Sequence, residues 1–355
     1  MKTDWKYIIE KYSVAAIIAM MIVILYSFFQ GSMGVYFAKE VLPTFAKSVA
    51  EQIAVINWLG KKDDMELYGA DNLISEEQRL LLGQALPEMS KNTLAVLEDF
   101  ELTKQVYFAV PSTTTLTERK LNVKEALLYD FTITPTLDEP KILLFHTHAN
   151  EYFRDSDMSL GLEEGIVGTA EILIRILENE YGISVLHCKE QFDVVDGEGR
   201  RTGAYERMEE PIRTILAENP SIEMTIDLHR DGVADNVHLV TEIGEKNYAQ
   251  LMFVNGVTTL LQDGLAVPAT NLENPYIQEN LAMSLQLQLI AESRFDNLMR
   301  KIYLNPYRLS THMMPRALLI EVGAQTNTKE EAANSMVLLA RMLADVLLAE
   351  EEVAE

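Results

Sequence analysis

From Lys141 onward, short apolar runs alternate with longer stretches whose apolar positions recur every three to four residues. The run Lys141–Phe145 (KILLF) is short and continuous, as a strand buried on both faces requires. The stretch 165–182 (GIVGTAEILIRILENEYG) carries helical spacing, and Ile183–His187 (ISVLH) reads as a second strand. A second helix is predicted over about 201–218, ending at Asn219-Pro220, where proline has no N–H to continue it. Ile222–His229 (IEMTIDLH) is the next strand. VHLVTEI (237–243) and AQLMFVN (249–255) add further strands, and helices are expected between about 275 and 303. RALLIEVG (316–323) is a last strand and 329–348 a last helix. Strand–helix–strand–helix–strand predicts an α/β domain with a largely parallel sheet.

The first 120 residues follow other patterns. Tyr12–Phe29 (YSVAAIIAMMIVILYSFF) is eighteen residues without a charge, and its apolar character persists to Phe37. At 1.5 Å per residue such a helix nearly spans a bilayer core of about 30 Å, so residues 12–37 are expected to be a transmembrane anchor. The rival, a cleaved signal peptide, calls for a small-x-small site after the apolar run, and none follows Phe29. Lys2, Lys6 and Lys11 place residues 1–11 in the cytoplasm and everything after Lys39 outside. Between 42 and 60, Phe45, Val49, Ile53, Ile56 and Leu59 share one helical face, which can pack on a partner or on the chain's own domain. Ser75–Gln78 (SEEQ) has the form of a capping box opening a helix to about Leu86, and another helix is expected from Lys91 to Phe100. The Thr-rich, Pro-punctuated stretch 101–140 reads as strand and loop. The expected organisation is a helical and linker region over 38–120, one domain over 121–350 and an acidic tail at 351–355.

Composition narrows the function classes. Of 355 residues, 54 are acidic and 30 basic, a net charge of −24. With no basic stripe to offset it, such a surface repels phosphates, so a nucleic-acid partner is excluded. The single cysteine, Cys188, permits no intramolecular disulfide and reads as a small buried residue.

The chemistry gathers at three strand ends, where functional side chains of open α/β sheets belong. The first carries His146-Thr147-His148-Ala149-Asn150-Glu151, the second His229-Arg230-Asp231, and the third Glu321-Val322-Gly323. Three of the six histidines sit at two of these ends. Catalytic zinc takes three N or O ligands from the protein and keeps one position open. His148, Glu151 and His229 supply that set, and Glu321 is the candidate general base that passes a proton to the leaving amine. His146 is a candidate for orienting a ligand or the substrate. Arg230 and Asp231 fit the same supporting role or a substrate clamp, since arginine carries a fixed fork of donors. Each motif alone is common by chance; a lone histidine after a strand is more often a hydrogen-bonded structural residue. That structural reading is assigned to His187, His238 and His312.

ILLFHTHANEYF, IDLHRDG and LLIEVGAQTNTKEEA, in that order after an N-terminal anchor, resemble the stage II sporulation protein P family. NPYIQENLAMSLQLQL and YRLSTHMMPRALLIEVG resemble it too, so the likeness spans about 120–350. It implies a zinc N-acetylmuramoyl-L-alanine amidase with a mixed sheet flanked by helices. The implied reaction on peptidoglycan is cleavage between the lactyl group of muramic acid and the first L-alanine of the stem peptide. By position, His148 and His229 match the two metal-binding histidines and Glu321 the catalytic carboxylate. The glutamate ligand is Glu151 on the His-Thr-His-x-x-Glu pattern, or Glu163 or Glu164 on the wider amidase spacing. The family further implies action during engulfment of the forespore, together with stage II sporulation proteins D and M. Two other readings stay open: a zinc carboxypeptidase or endopeptidase acting on the stem peptide, and a non-catalytic wall-binding scaffold.

Overall fold

The computed structural model describes residues 74–82, 84 and 89–348. The predicted span at 12–37, the amphipathic stretch at 42–60 and the tail at 351–355 lie outside the described residues. Among the described residues, no helix is long and apolar enough to cross a membrane.

Eight α-helices are described: α1 (Glu76–Leu82), α2 (Lys91–Leu97), α3 (Phe100–Tyr107), α4 (Val123–Leu128), α5 (Ile166–Tyr181), α6 (Ala204–Glu218), α7 (Ile277–Arg294) and α8 (Lys329–Leu347). The main sheet has seven strands: β1 (Phe108–Ala109), β2 (Ile142–Phe145), β3 (Val185–His187), β6 (Met224–Asp231), β9 (Leu251–Gly256), β12 (Ile302–Asn305) and β13 (Ala317–Ala324). Small hairpins account for β4 (Val194–Val195) with β5 (Glu198–Gly199), β7 (Val240–Ile243) with β8 (Lys246–Ala249), and β10 (Thr259–Gln262) with β11 (Leu265–Pro268).

The sheet order is β1-β12-β9-β13-β6-β2-β3. Every neighbouring pair is parallel except β9 with β13. The fold is therefore α/β with a mixed, largely parallel sheet flanked by helices, as the sequence predicts.

Alternation along the strands sorts the two faces. Ile142, Leu144, Ile226, Leu228, Leu318 and Ile320 belong to the large core formed with α5, α7 and α8. Leu143 and Phe145 turn the other way, onto Met208 and Ile212 of α6. Local signals fix the helices: α5 stops at Gly182, which takes a left-handed φ of 65°, and α8 opens on a full capping box of Thr328 and Glu331.

Three expectations are corrected. The Thr-rich stretch after 100 is not all strand and loop: Asp99 accepts from Leu102 N–H and starts α3, and Asn122 accepts from Glu125 N–H and starts α4. Such caps outweigh the weak helix preference of β-branched residues. The region 275–303 is one helix, α7, followed by strand β12 from Ile302. VHLVTEI lies outside the main sheet, folded back on β8 through a two-residue turn with Gly244 at φ 62°.

Candidate active site

Three chain segments meet on the α6 side of the sheet. In β6, Thr225, Asp227 and His229 alternate with Ile226 and Leu228, so the polar set faces away from the large core. In β13, Glu321 shares that orientation with Leu319 and pairs in register with His229. Past the end of β2, Thr147 is fastened to β6: its N–H donates to Asp227 Oδ1 (2.8 Å) and its hydroxyl to Oδ2 (2.7 Å). That anchor delivers His148 beside His229, their rings 5.4 Å apart and nearly perpendicular. Tyr205 of α6 packs edge-on against His148 at 5.7 Å.

Glu151 arrives from the loop after His148 and is buried. Its Oε1 accepts from the Arg201 guanidinium (2.6 Å), and its Oε2 accepts from the backbone N–H of Arg230 (2.9 Å) and stands 3.3 Å from His229 Nδ1. Glu163 and Glu164 point elsewhere: Glu163 pairs with Lys189 (3.0 Å), and Glu164 with Lys329. Of the three glutamates weighed, Glu151 alone is in contact with His229.

The electrostatics follow from burial in a crowd of like and unlike charges. Burial holds the His148 imidazole neutral, lowering its pKa to about 4 with help from His229 and Arg201. Burial opposes charge on His229, but Asp227 and Glu151 more than offset it and raise its pKa well above the ordinary histidine value. Burial likewise works against charge on Glu151 and Asp227, yet His229 and the donated hydrogen bonds hold both down to about 2. Glu321 goes the opposite way. Burial pushes it up to about 8; His229 pulls against this, while Glu151, Asp231 and Asp227 add to it.

His146 faces the other side of the sheet. Its Nδ1 lies 2.7 Å from the Leu228 carbonyl and its Nε2 2.9 Å from His187 Nε2, while His187 Nδ1 meets Glu171 of α5 at 2.7 Å. His146 continues the alternation of β2 onto that face; His148, two residues on, lies past the strand's end at Phe145, where the Thr147–Asp227 anchor turns the chain to the other side. The Arg230 side chain donates to the Tyr152 and Asp231 carbonyls, and Asp231 pairs with Arg300 (2.7 Å). Arg230 thereby braces the loop after Glu151, and Asp231 ties the end of β6 to Arg300.

Sequence reasoning missed Asp227, Arg201 and Tyr205. Asp227 was legible in hindsight, because the T-x-D-x-H alternation puts three polar groups on one face of an otherwise apolar strand. His312, read as structural, lines a groove of about 420 Å³ that runs from His148 past Arg201, Tyr205, Glu209 and Arg308.

The donor chemistry suits a divalent cation. His148 Nδ1 and His229 Nε2 are buried without a hydrogen-bond partner, the 2.7 Å approach of Asp227 to His229 Nε2 lying outside hydrogen-bond geometry. Two imidazoles on one tetrahedral ion would have ring centroids about 5 Å apart, close to the separation of this pair. Yet among the described residues no three His, Cys, Asp or Glu groups stand closed around one point. Both oxygens of Glu151 are engaged by other groups.

Gly165 sets how deep Glu151 sits. A Cβ there would lie 2.3 Å from the Glu151 carbonyl oxygen, so Gly165→Ala must push that backbone outward. We expect a loss of about 1–3 kcal/mol in stability, read by chemical denaturation, with the Glu151 loop displaced. An unchanged midpoint would show that the loop yields freely.

The pattern of stage II sporulation protein P (SpoIIP) matches residues 64–344. The chain belongs to that family. No curated protein matches it. Among solved structures, it is similar to the CwlD amidase from Clostridioides difficile in complex with the GerS lipoprotein, at 12% identity over 58% of this chain and 96% of that one, with a TM-score of 0.35. It is also similar to the N-acetylmuramyl-L-alanine amidase Ami1 from Mycobacterium abscessus, at 11% identity over 59% and 98%, TM-score 0.32. The catalytic domain of CwlV, an N-acetylmuramoyl-L-alanine amidase from Bacillus (Paenibacillus) polymyxa, gives 14% identity over 58% and 94%, TM-score 0.31. At these values the likenesses are faint, and the family assignment stands on the sequence match.

Proposed function

We propose that the chain is a zinc-dependent N-acetylmuramoyl-L-alanine amidase that cuts the bond between muramic acid and the stem peptide during endospore formation. The observation that carries this reading is the meeting of His148, Glu151, His229 and Glu321 on one face, at the carboxyl ends of β2, β6 and β13. Membership of the sporulation family supports the biological setting. His148, His229 and Glu151 would hold the metal, which supplies Lewis acidity toward an amide carbonyl and acidifies water when bound. Tyr205 and the wall at Arg308 and His312 would orient the glycopeptide in the groove. Glu321, whose pKa burial lifts to about 8, is a strong base in its ionised form: it is suited to take a proton from the attacking water and then to give that proton to the leaving amine. Asp227, held by Thr147, keeps His229 in place.

The same proposal includes an anchor at residues 12–37 with the catalytic part outside the cytoplasm, and sporulation proteins D and M as partners. Incubation with purified peptidoglycan, followed by mass spectrometry, tests the reaction. The expected products are free stem peptide and intact glycan bearing unsubstituted muramic acid. His229→Ala is expected to lose both zinc retention and turnover, and a fully active variant would refute the assignment. Products cut within the stem peptide would make the chain an endopeptidase or carboxypeptidase. Binding to the wall without any product, at saturating zinc, would make it a scaffold.

A further inference from the structure

Among the described residues, Arg201 makes the one contact to the Glu151 carboxylate from an exposed side chain. The carboxylate is buried, and its other neighbours, the Arg230 N–H and His229, are held within the fold. The Arg201 side chain is 56% exposed while its Nη2 reaches 2.6 Å to Glu151 Oε1. Arg201 sits between the β4–β5 hairpin and α6, two residues before Gly203, whose φ of 80° turns the chain into the helix. It also lines the groove that begins at His148. The other arginine lining that groove, Arg308, is already neutralised by Glu209. Arg201 is therefore the groove's cation with the most freedom to change partner, and Glu151 is the partner that it would give up.

We propose that Arg201 occupies two positions: it caps Glu151 until a divalent cation takes that carboxylate, and then turns into the groove to hold a carboxylate of the substrate's peptide. The proposal rests on the metal-centre reading above. It accounts for the unclosed donor set, because Arg201 occupies Oε1 while His229 and the Arg230 N–H occupy Oε2. A divalent ion at Glu151 repels a guanidinium beside it, and a side chain more than half in solvent moves away at small cost. Once displaced, the planar fork matches a carboxylate in two parallel hydrogen bonds. Glu206, which also lines the groove, is the internal competitor for the released charge. Arg201 is thus a binding residue whose availability depends on the metal, and metal and peptide bind with positive coupling.

The test compares the full chain with its Arg201→Ala variant in two measurements. In the first, zinc affinity is read by competition with a chromogenic chelator. Arg201→Ala is expected to bind zinc about 10-fold more tightly, the opposite of what damage to the fold would do. In the second, calorimetry gives the affinity of the zinc-loaded protein for N-acetyl-L-alanyl-D-glutamate and for its uncharged diamide. The variant is expected to bind the dipeptide about 10-fold more weakly and the diamide unchanged. Equal or weaker zinc binding by the variant overturns the capping role, and an unchanged dipeptide affinity overturns the substrate role. If neither protein binds zinc better than His229→Ala does, the metal centre itself fails and takes this proposal with it. That outcome is distinct from one zinc bound equally by both.

Discussion

Glu321→Gln is expected to lower amide hydrolysis by about 10³-fold while zinc retention stays as it is. Glutamine keeps the size and the buried position of the side chain but can neither take nor release a proton. The second readout is stability in metal-free protein. Glu321 ionises at about 8 in the fold against 4.5 as a free side chain, because burial and the carboxylates of Glu151, Asp231 and Asp227 outweigh His229. Between these values the folded state binds more protons than the unfolded one, so stability falls as pH rises from 4.5 to 8 and is flat above. The whole swing is at most about 5 kcal/mol. In Glu321→Gln this contribution disappears, and the variant becomes the more stable protein at pH 8.5. Urea denaturation at pH 5, 7 and 8.5 after chelation measures it. A variant with parental turnover, or one whose stability falls with pH as steeply as the parent's, would remove Glu321 from the role assigned.

Asp227→Ala is expected to cost about 3–5 kcal/mol, lowering the melting temperature by roughly 10 °C. Asp227 is fully buried, stands 2.7 Å from His229 Nε2 and accepts from both the N–H and the hydroxyl of Thr147. Its loss leaves a buried imidazolium with Glu151 alone, and strands an N–H that no water reaches. Asp227→Asn restores an acceptor for Thr147 and should recover part of the loss. Calorimetry on metal-free protein decides; a drop below about 1 kcal/mol would mean that the strand end relaxes around the gap.

The strands of the sheet were readable where the chain announces them, with continuous apolar runs at Ile142–Phe145 and Ala317–Ile320 and with an alternating run at Met224–Leu228. Their polar ends were readable too, because His148, His229 and Glu321 follow directly on those runs. Position along the chain carries no side-chain direction past a strand's end: alternation alone would put His146 and His148 on one face, and only the break in β2 after Phe145, with Thr147 tied to Asp227, sends them to opposite sides. The short strands β1 and β12 gave no usable pattern: each has two to four residues, and both exist only through pairing with distant partners. Arg201 lies in a stretch without periodicity, and its contact with Glu151 spans fifty positions. Tertiary packing alone brings them together.

The order of assembly follows from where β13 stands. Among the described strands it is the last to be made, yet it occupies the middle of the sheet, between β9 and β6. Glu321 therefore meets His229 only after the residues up to β13 have been made, and the pairing must close a loop of about ninety residues. An unfinished or truncated chain holds the two histidines without their acid. Under the proposed topology, where the amino end stays in the cytoplasm and the residues after the anchor cross the bilayer in chain order, Glu321 crosses after both histidines and the centre stays inert until it has passed.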